Sequence, residues 1–382
     1  MGDLNFEDIR PFTDEEAVVA LKRIAENPAV DSICAYLWPG KDPESIREIL
    51  RSCKDIDDFQ SQIMIPAIDA VLASSSKGLT YGGVDILKSV EGRFLAITNH
   101  RDIVCDPAFF QHMLFTNGLP FSDICIGSNL LDNKFVEDIM RSNRMIKVNR
   151  GIAARELYLS SLRLSAYMRQ VITSGERSVW IAQKEGRTKN GIDRTSQGVL
   201  KMLDMSGEES FDVNFGALKI VPIAISYEFE PCDILKAREL YLSRTSRYVK
   251  QPGEDMVSIL TGIKQPKGHI HMEAAPLIGE EELHDASKRG GNERYQHMMK
   301  LMDRRIAEHY KLWKTNYIAA DLLEGGSAHA GLYDAADKEA FSVYLESRLD
   351  SVEPELDRGE LRNLLLGVYA NSVKVVESLQ II

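Results

Sequence analysis

The hydrophobic residues follow different patterns in different parts of the 382-residue chain. Over the first 80 residues they recur every three or four positions, and the helix-capping residues Thr13 and Asp42 precede two of these stretches. From residue 94, short apolar runs alternate with helix-period stretches, and an acidic, helix-rich segment follows Gly325. We therefore expect an N-terminal helical region over residues 1–80, an α/β domain over 81–320 and a C-terminal acidic helical extension over 321–382.

Six short apolar runs have the length and composition of buried strands. They cover residues 94–98, 124–127, 145–148, 179–182, 220–226 and 269–272. Helix-period stretches separate them, notably residues 153–172, and one long helix is expected over residues 292–317. Strands that alternate with helices predict an α/β layer structure.

The composition limits the class of protein. Hydrophobic residues make up 44% of the chain and charged residues 27%, which is typical of a globular protein and excludes a disordered or fibrous one. The five cysteines are scattered without a C-x-x-C pair, so neither a zinc knuckle nor a disulfide framework is indicated. No apolar run approaches ~18 residues and the acidic N-terminus lacks the features of a signal peptide, so we expect a cytoplasmic protein without a membrane span.

The charge is distributed unevenly along the chain. The formal net charge of −11 argues against a general nucleic-acid binder. Residues 141–201, however, contain thirteen Lys or Arg and only four Asp or Glu. Some of these charges are expected on solvated helix faces, but their excess makes this segment the place to look for an anionic substrate.

A polar stretch follows the first apolar run. His100 lies two residues after the end of that run, and Asp102 and Asp106 come next among the acidic residues. Open α/β sheets bind ligands at the carboxyl ends of their strands, and a His with a nearby carboxylate is the composition of a general base and its orienting acid. The stretch therefore predicts a catalytic base at His100; a His that merely caps the following helix is the simpler interpretation.

The same stretch also allows a metal site. His100, Asp102 and Asp106 supply ligand atoms, and His269 and His271, on one face of a predicted strand, would add two nitrogens. Nothing in the sequence ties the two regions together. A metal-dependent hydrolase is therefore an alternative hypothesis.

Two clusters of basic residues also follow predicted strands. Lys147 and Arg150 lie where the third run ends and a helix begins, which is a favourable place for an anion. Gly186, Arg187 and Lys189 follow the fourth run; the glycine allows close backbone approach, and the cations donate charge-assisted hydrogen bonds to phosphate. On local grounds, a polar hairpin turn around residues 190–191 explains the second cluster equally well.

Taken in order, these residues resemble the four sequence blocks of the glycerolipid acyltransferases, a family that includes glycerol-3-phosphate and 1-acylglycerol-3-phosphate acyltransferases. The blocks are His100 with a near Asp, a strand that ends at Arg150, the triplet at residues 185–187 and the strand at residues 221–225. The resemblance covers about residues 90–230 and implies a mixed central sheet flanked by helices. Two departures indicate a divergent branch: Asp106 comes one position later than in the family's first block, and Gly186 and Arg187 are adjacent.

The resemblance implies a reaction. An acyl group would pass from acyl-CoA or acyl-carrier protein, as co-substrate, to a hydroxyl of glycerol-3-phosphate, lysophosphatidate or a related small polar acceptor in phospholipid synthesis. His100 would remove the hydroxyl proton, and Asp106 or, failing it, Asp102 would orient the imidazole. Neither a metal nor a cofactor is implied.

The resemblance also implies the substrate-binding residues Lys147, Arg150, Glu185, Gly186, Arg187, Lys189 and Pro222. The cations would hold the acceptor phosphate, Glu185 would position the acceptor hydroxyls or the arginines, and Pro222 belongs to the strand that shapes the acyl channel. Such an enzyme would meet the inner face of the membrane peripherally through its basic segment, or act on soluble substrates. A non-catalytic lipid-binding relative is the second alternative hypothesis.

Overall fold

A seven-stranded sheet lies at the centre of the computed structural model, which describes residues 5–130, 133–245 and 248–379. The strands are β1 Gly78–Gly82, β2 Leu95–Thr98, β3 Asp123–Gly127, β4 Met145–Val148, β5 Val179–Ala182, β6 Ile220–Tyr227 and β7 His269–Ala274. Their order is β1-β7-β6-β2-β5-β3-β4. Neighbouring strands are parallel except for β6 and β7, which pair antiparallel. The sheet is therefore mixed, and the predicted α/β fold with a mixed central sheet flanked by helices is confirmed.

The six apolar runs correspond to β2 through β7, with ends that agree within two residues. Strand β1 was not predicted, and it spans the predicted boundary between the N-terminal helical region and the α/β domain. It is an edge strand that pairs only with β7 among the described strands, from Gly78 opposite His269 to Gly82 opposite Glu273. Because its residues are half-buried or exposed and include two glycines, it lacks the apolar run that identifies a central strand.

Helices cover both faces of the sheet and form the two ends of the chain. Their bounds are α1 Asp14–Ala25, α2 Ala29–Leu37, α3 Pro43–Ser52, α4 Ile56–Phe59, α5 Ile65–Ser75, α6 Val84–Ser89, α7 Cys105–Thr116, α8 Lys134–Ser142, α9 Ala154–Thr173, α10 Gln197–Asp204, α11 Phe211–Gly216, α12 Asp233–Leu242, α13 Glu254–Lys264, α14 Glu280–Ser287, α15 Glu293–Glu308, α16 Lys314–Glu324, α17 Ala335–Leu349 and α18 Arg358–Leu379. A π-helical turn, Gln60–Met64, joins α4 to α5, and 3₁₀ turns occupy Ser128–Leu130 and Ala330–Leu332. In the described residues, no helix combines the length and the hydropathy that a membrane crossing requires.

The long helix expected over residues 292–317 is wrong, because the structure has two helices there, α15 and α16. Trp313 is extended, and its amide donates to the side-chain oxygen of Asn316 at 2.8 Å. This side-chain cap satisfies a backbone N–H at the start of a new helix, so α16 begins at Lys314 instead of continuing α15. The Trp313 indole also donates to Ser226 at 3.2 Å, which ties the break to β6.

The alternation of side chains along the strands divides the core between the two faces of the sheet. On face one, Leu95, Ile97 and Ile181 pack under helices α9, α10, α11, α14 and α15. On face two, Ala96 and Trp180 pack under helices α5, α6 and α7. Separate clusters hold α1–α4 together and join α12 to α16–α18. The predicted boundaries at 80/81 and 320/321 fall within β1 and α16, and the three-part division of the chain stays a prediction.

Candidate active site

His100 lies at the carboxyl end of β2, near the middle of the sheet. The preceding residue, Asn99, is fully buried and bonds to the backbone of Ile225 on β6 through both ends of its amide, at 2.8 and 3.0 Å. This anchor fixes the point at which the chain leaves the sheet. The His100 Nδ1 atom lies 2.9 Å from Oδ2 of Asp106. The structure therefore brings these two predicted residues together.

Asp106 is fully buried in the first turn of α7 and bonds through both carboxylate oxygens. Its Oδ2 atom accepts the backbone N–H groups of Arg101 at 2.6 Å and Asp102 at 2.9 Å, and its Oδ1 atom accepts the Tyr227 hydroxyl at 2.7 Å. Because Oδ2 already acts as an acceptor for two backbone donors, the His100 Nδ1 atom carries a hydrogen and also donates to it. The other ring nitrogen, Nε2, is thereby left as the basic one.

Asp102 has a different role from the one predicted as an alternative. Its Oδ1 atom accepts the backbone N–H groups of Val104 at 3.0 Å and Cys105 at 2.8 Å, which caps the beginning of α7. Its Oδ2 atom is buried without a hydrogen-bond partner among the described residues and faces Gly262, where an added Cβ would lie 2.1 Å away. Of the two candidate acids, Asp106 is therefore the one that bonds to His100.

His100 lines a cavity of about 700 Å³. The cavity walls are mainly apolar, and the Trp180 ring packs edge-on to the imidazole with 6.1 Å between ring centroids. The same cavity is lined by Arg150, Gly186, Arg187 and Lys189 from the two predicted basic clusters, and by Lys184 and Glu185 beside them. The residues that were predicted separately as a base and as an anion site thus share one pocket, of a size that holds a small ligand.

The two arginines are held in different ways. Arg150 lies over Gly127 at the end of β3, where an added Cβ would come within 2.9 Å of the guanidinium, and its Nε atom is 3.7 Å from Glu185. Arg187 is 7% exposed, and its Nη1 atom has no hydrogen-bond partner in the described part of the chain. A buried donor without a partner is rare in proteins, and Arg187 is among the residues that line the cavity.

Burial changes the pKa values of the lysines in the cavity. Burial, together with the charge of Arg187, lowers the pKa of Lys189 to about 8, although the ion pair of Lys189 with Glu239 opposes the shift. Burial also lowers the pKa of Lys184. Both shifts arise because a partly dry site disfavours the charged ammonium.

Lys147 and Pro222 are not among the described residues that line the cavity. Lys147 lies on β4, where its backbone amide donates to the carbonyl of Ile9 at 2.9 Å. Pro222 lies opposite Ile97 in the interior of the sheet, and its carbonyl accepts the amide of Ala275 at 2.8 Å. Neither residue lines the pocket, so their roles in substrate binding stay predictions.

The metal-site hypothesis has no ligand set in the structure. Within residues 5–130, 133–245 and 248–379, no group of three or more His, Cys, Asp or Glu is placed to hold a metal ion. His271 bonds to Thr80 at 2.8 Å and to Glu273 at 3.2 Å, while His269 stacks on Trp313 with 6.0 Å between ring centroids. The proposed five-residue cluster is wrong because β7 engages both histidines with its own neighbours, away from His100.

A buried ionic network below the cavity was missed at the level of sequence. Arg101 is 1% exposed, its guanidinium donates to Asp193 at 2.6 Å, and it stacks on Tyr310. Asp193 also accepts the Thr188 hydroxyl at 2.7 Å, and the Thr188 amide donates to the His100 carbonyl at 2.8 Å. The network joins the His100 loop to the loop of residues 184–193. The two loops lie about 90 positions apart in the chain, so no local pattern identifies the contacts between them.

The basic segment at residues 141–201 divides into two groups. Arg150, Arg187 and Lys189 line the cavity, as described above. Other cations of the segment pair elsewhere, such as Arg144 with Asp57 at 2.6 Å and Arg163 with Asp8 at 2.7 Å. Only part of the local excess of charge therefore serves the pocket.

No family model matches this chain, and no curated protein matches it. Among solved structures, the chain is similar to the crystal structure of the 1-acyl-sn-glycerophosphate (LPA) acyltransferase PlsC from Thermotoga maritima. The two share 11% sequence identity, the match covers 76% of this chain and 97% of that chain, and the TM-score is 0.39. The likeness is distant.

Proposed function

We propose that this chain is an O-acyltransferase. It moves a fatty acyl group from a thioester, either acyl-CoA or acyl-carrier protein, to a hydroxyl of a phosphate-bearing glycerol acceptor in phospholipid synthesis. Glycerol-3-phosphate, lysophosphatidate and related small polar molecules are the acceptors that this chemistry allows. In this proposal the protein works in the cytoplasm and contacts the inner face of the membrane peripherally.

One observation carries the proposal. A histidine whose Nδ1 atom bonds to a buried carboxylate at 2.9 Å lines a largely apolar cavity that also contains two arginines, Arg150 and Arg187. Acyl transfer to a phosphorylated alcohol needs these elements together: a base for the hydroxyl, cations for the phosphate and an apolar wall for the hydrocarbon chain. The sequence resemblance to the glycerolipid acyltransferases, with His100 and Asp106 in its first block, supports the same assignment.

In the proposed reaction, Nε2 of His100 takes the proton from the acceptor hydroxyl while that oxygen attacks the thioester carbonyl carbon. The carbon–oxygen bond forms, and the tetrahedral intermediate then breaks its carbon–sulfur bond. The proton passes from His100 to the departing sulfur, so the products are an ester and a free thiol. Asp106 holds the ring in place and stabilises the imidazolium between the two steps.

The acceptor phosphate is assigned to Arg150 and Arg187. The free Nη1 atom of Arg187 has no competing hydrogen-bond partner among the described residues, and a planar guanidinium matches two phosphate oxygens at once. Lys189 also lines the cavity and adds a third cation. Glu185, which is near Arg150, is assigned to orient that arginine or an acceptor hydroxyl.

The test is an assay of purified protein with palmitoyl-CoA or palmitoyl-carrier protein and each acceptor, with detection of both the free thiol and the lipid product. The wild-type protein should form both in equal amounts. His100→Ala should lower turnover by ~10² to 10⁴-fold, the usual contribution of a general base. His284→Ala is the matched control, because His284 is largely exposed and does not line the cavity, and it should retain wild-type turnover.

Three results would overturn the proposal. Wild-type turnover in a folded His100→Ala protein would show that His100 is not the catalytic base. Thiol release without an acylated product would indicate a thioesterase. Saturable binding of acyl chains without any turnover would identify a lipid-binding protein instead of an enzyme.

A further inference from the structure

The residues that directly follow His100 and Arg187 in the chain do not line the cavity. These residues, Arg101 and Thr188, are each 1% exposed and are not among the described residues that form its walls. Both loops therefore direct one side chain into the cavity and the next into the protein. The loops also meet through their backbones, because the Thr188 amide donates to the His100 carbonyl at 2.8 Å.

Asp193, in the loop of residues 184–193, joins the two inward-facing side chains. Its Oδ2 atom accepts from Nε of Arg101 at 3.1 Å and from Nη2 at 2.6 Å, and its Oδ1 atom accepts the Thr188 hydroxyl at 2.7 Å. Each of these partners is the chain neighbour of a residue that lines the cavity. The ion pair therefore fixes how far the His100 imidazole lies from the Arg187 guanidinium.

Helix α18, near the C-terminus, contacts both sides of this arrangement. The Ser372 hydroxyl accepts from Nη2 of Arg101 at 3.2 Å and donates to the Gly191 carbonyl at 3.4 Å. The neighbouring side-chain amide, that of Asn371, donates to the Asn190 carbonyl at 2.8 Å. A helix remote in sequence thus braces both Arg101 and the loop that carries Arg187.

A second buried cation holds the backbone of Arg101. The Lys236 ammonium on α12 is buried and donates to the Arg101 carbonyl at 2.7 Å and to Glu230 at 2.6 Å. Glu230 also accepts from Nη1 of Arg101 at 3.4 Å. The desolvation of buried charges offsets much of their attraction, so apolar side chains of the same volume would stabilise the fold about as well. Stability alone therefore does not account for this network.

We propose that Arg101 is a positioning residue. Its ion pair with Asp193, which α18 braces, holds the base and the anion-binding arginine at the separation that acyl transfer requires. An acceptor must place its phosphate at Arg187 and its hydroxyl at His100 at the same time, and a misplacement of about 1 Å lowers a rate on the order of a hundredfold. This inference rests on the proposed function and makes α18 part of the framework of the site.

The experiment measures kcat and the acceptor KM of Arg101→Lys with palmitoyl-CoA and either lysophosphatidate or glycerol-3-phosphate, whichever the wild type acylates faster. Lysine keeps the charge, but a single ammonium cannot reproduce the fork by which the guanidinium reaches Asp193, Glu230 and α18 together. The kcat should fall on the order of tenfold to a hundredfold, because the acceptor hydroxyl no longer meets the base. The acceptor KM should change by less than about threefold, since both arginines assigned to the phosphate remain.

Arg169→Lys is the matched control. Arg169 also joins neighbouring segments, through the carbonyls of Asn214 at 2.6 Å and Leu203 at 2.9 Å, and it does not line the cavity. This variant should lower the temperature of thermal unfolding and keep the wild-type kcat. Equal losses of kcat in the two Arg→Lys variants would mean that any loosened arginine lowers turnover, and the inference would be wrong.

A second variant covers the case in which Arg101→Lys does not fold. The double replacement Asn371→Ala and Ser372→Ala removes the bonds from α18 and leaves the ion pair of Arg101 with Asp193 intact. Its kcat should fall on the order of fivefold at an unchanged acceptor KM, because the loop loses hydrogen bonds that hold it in place.

The outcomes separate this inference from the proposed function. Wild-type kcat in a folded Arg101→Lys protein, or a rise in acceptor KM without a fall in kcat, would overturn the inference and leave the proposed function intact. Wild-type kcat in the double variant would overturn the role assigned to α18, and with it the whole inference if Arg101→Lys does not fold. No transfer by the wild type to either acceptor would overturn both.

Discussion

The replacement of Asp106 by Asn tests the geometry of the site directly. Three N–H groups converge on one oxygen of Asp106, and the Tyr227 hydroxyl reaches the other. An asparagine can turn its carbonyl oxygen toward the N–H groups and its amide toward Tyr227, whose oxygen also accepts. We therefore expect the loop to keep its shape, while the negative charge beside His100 is lost.

The size of the effect follows from the distance. Nδ1 of His100 lies 2.9 Å from Oδ2 of Asp106. An imidazolium shares its charge between two nitrogens, so the effective separation is about 4 Å, and at an effective dielectric constant of about 20 the attraction is about 4 kcal/mol. This attraction exists only after His100 has taken the proton, so its loss raises the barrier of the reaction. Asp106→Asn should lower kcat on the order of a thousandfold and change KM little.

The assay is steady-state kcat with both substrates saturating, with thermal unfolding as the check that the variant is folded. Asp102→Asn is the matched control, because its remaining oxygen still accepts the amides of Val104 and Cys105. Its kcat should fall by less than about tenfold. Equal losses in the two variants, or a larger loss at Asp102, would refute the assignment of Asp106 as the residue that orients His100.

Lys189, Gly191 and Asp123 each carry a prediction that a single substitution tests. The pKa of Lys189 is about 8, so its ammonium loses its charge above that pH and the KM for the phosphate-bearing acceptor should rise. Arginine stays charged, so Lys189→Arg should remove this rise when initial rates are measured across the pH range. Gly191 has φ +78°, and an added Cβ would lie 2.3 Å from the Val368 carbonyl, so Gly191→Ala should lower the free energy of unfolding in urea by at least about 2 kcal/mol. Gly118 has φ +72° and open space around its Cα, so Gly118→Ala should lower that free energy by only about 1 kcal/mol. Burial raises the pKa of Asp123 to about 6, so the folded state binds its proton more tightly than the unfolded state and stability falls as the pH rises from about 4 to about 6. Asp123→Asn should remove this fall in urea unfolding, because asparagine does not titrate.

Each of these outcomes has a contrary result. If the acceptor KM rises equally with pH in the wild type and in Lys189→Arg, Lys189 does not bind the acceptor phosphate. Equal destabilisation by the two glycine substitutions would mean that backbone strain, and not the contact with α18, limits Gly191. Parallel pH profiles of the wild type and Asp123→Asn would show that the pKa of Asp123 is the same in the folded and the unfolded protein.

Local pattern accounts for the parts of the fold that are predictable. Strands β2, β3, β5 and β6 are buried along most of their length, so each appears in the sequence mainly as an apolar run. Strand β7 instead alternates between buried residues and exposed or half-buried ones. The capping residues Thr13 and Asp42 do what their positions indicate: both accept a backbone N–H from the first turn of α1 or α3. Such signals are readable because the interaction lies within a few residues of the side chain that makes it.

The failures occur where a distant element decides the outcome. Strand β1 exists because β7 offers it a partner at the sheet edge, and its own half-exposed residues show no strand pattern. The break between α15 and α16 depends on Trp313, whose indole bonds to Ser226 on β6. For β1 the deciding contact is remote in sequence, so a window of neighbouring residues contains no trace of it. At the break between the two helices, the Asn316 cap is local and the contact of Trp313 with Ser226 is remote.

The site shows the same division. By itself, the sequence determined that His100 follows a buried strand, that acids lie close behind it and that basic clusters follow two other strands, because strand ends and residue types are local properties. Only the tertiary structure decided that Asp106 rather than Asp102 bonds to His100, because that choice depends on how α7 winds after the loop. It also decided that Arg150 and Arg187 line one cavity, since the order of the strands brings their ends together across positions far apart in the chain.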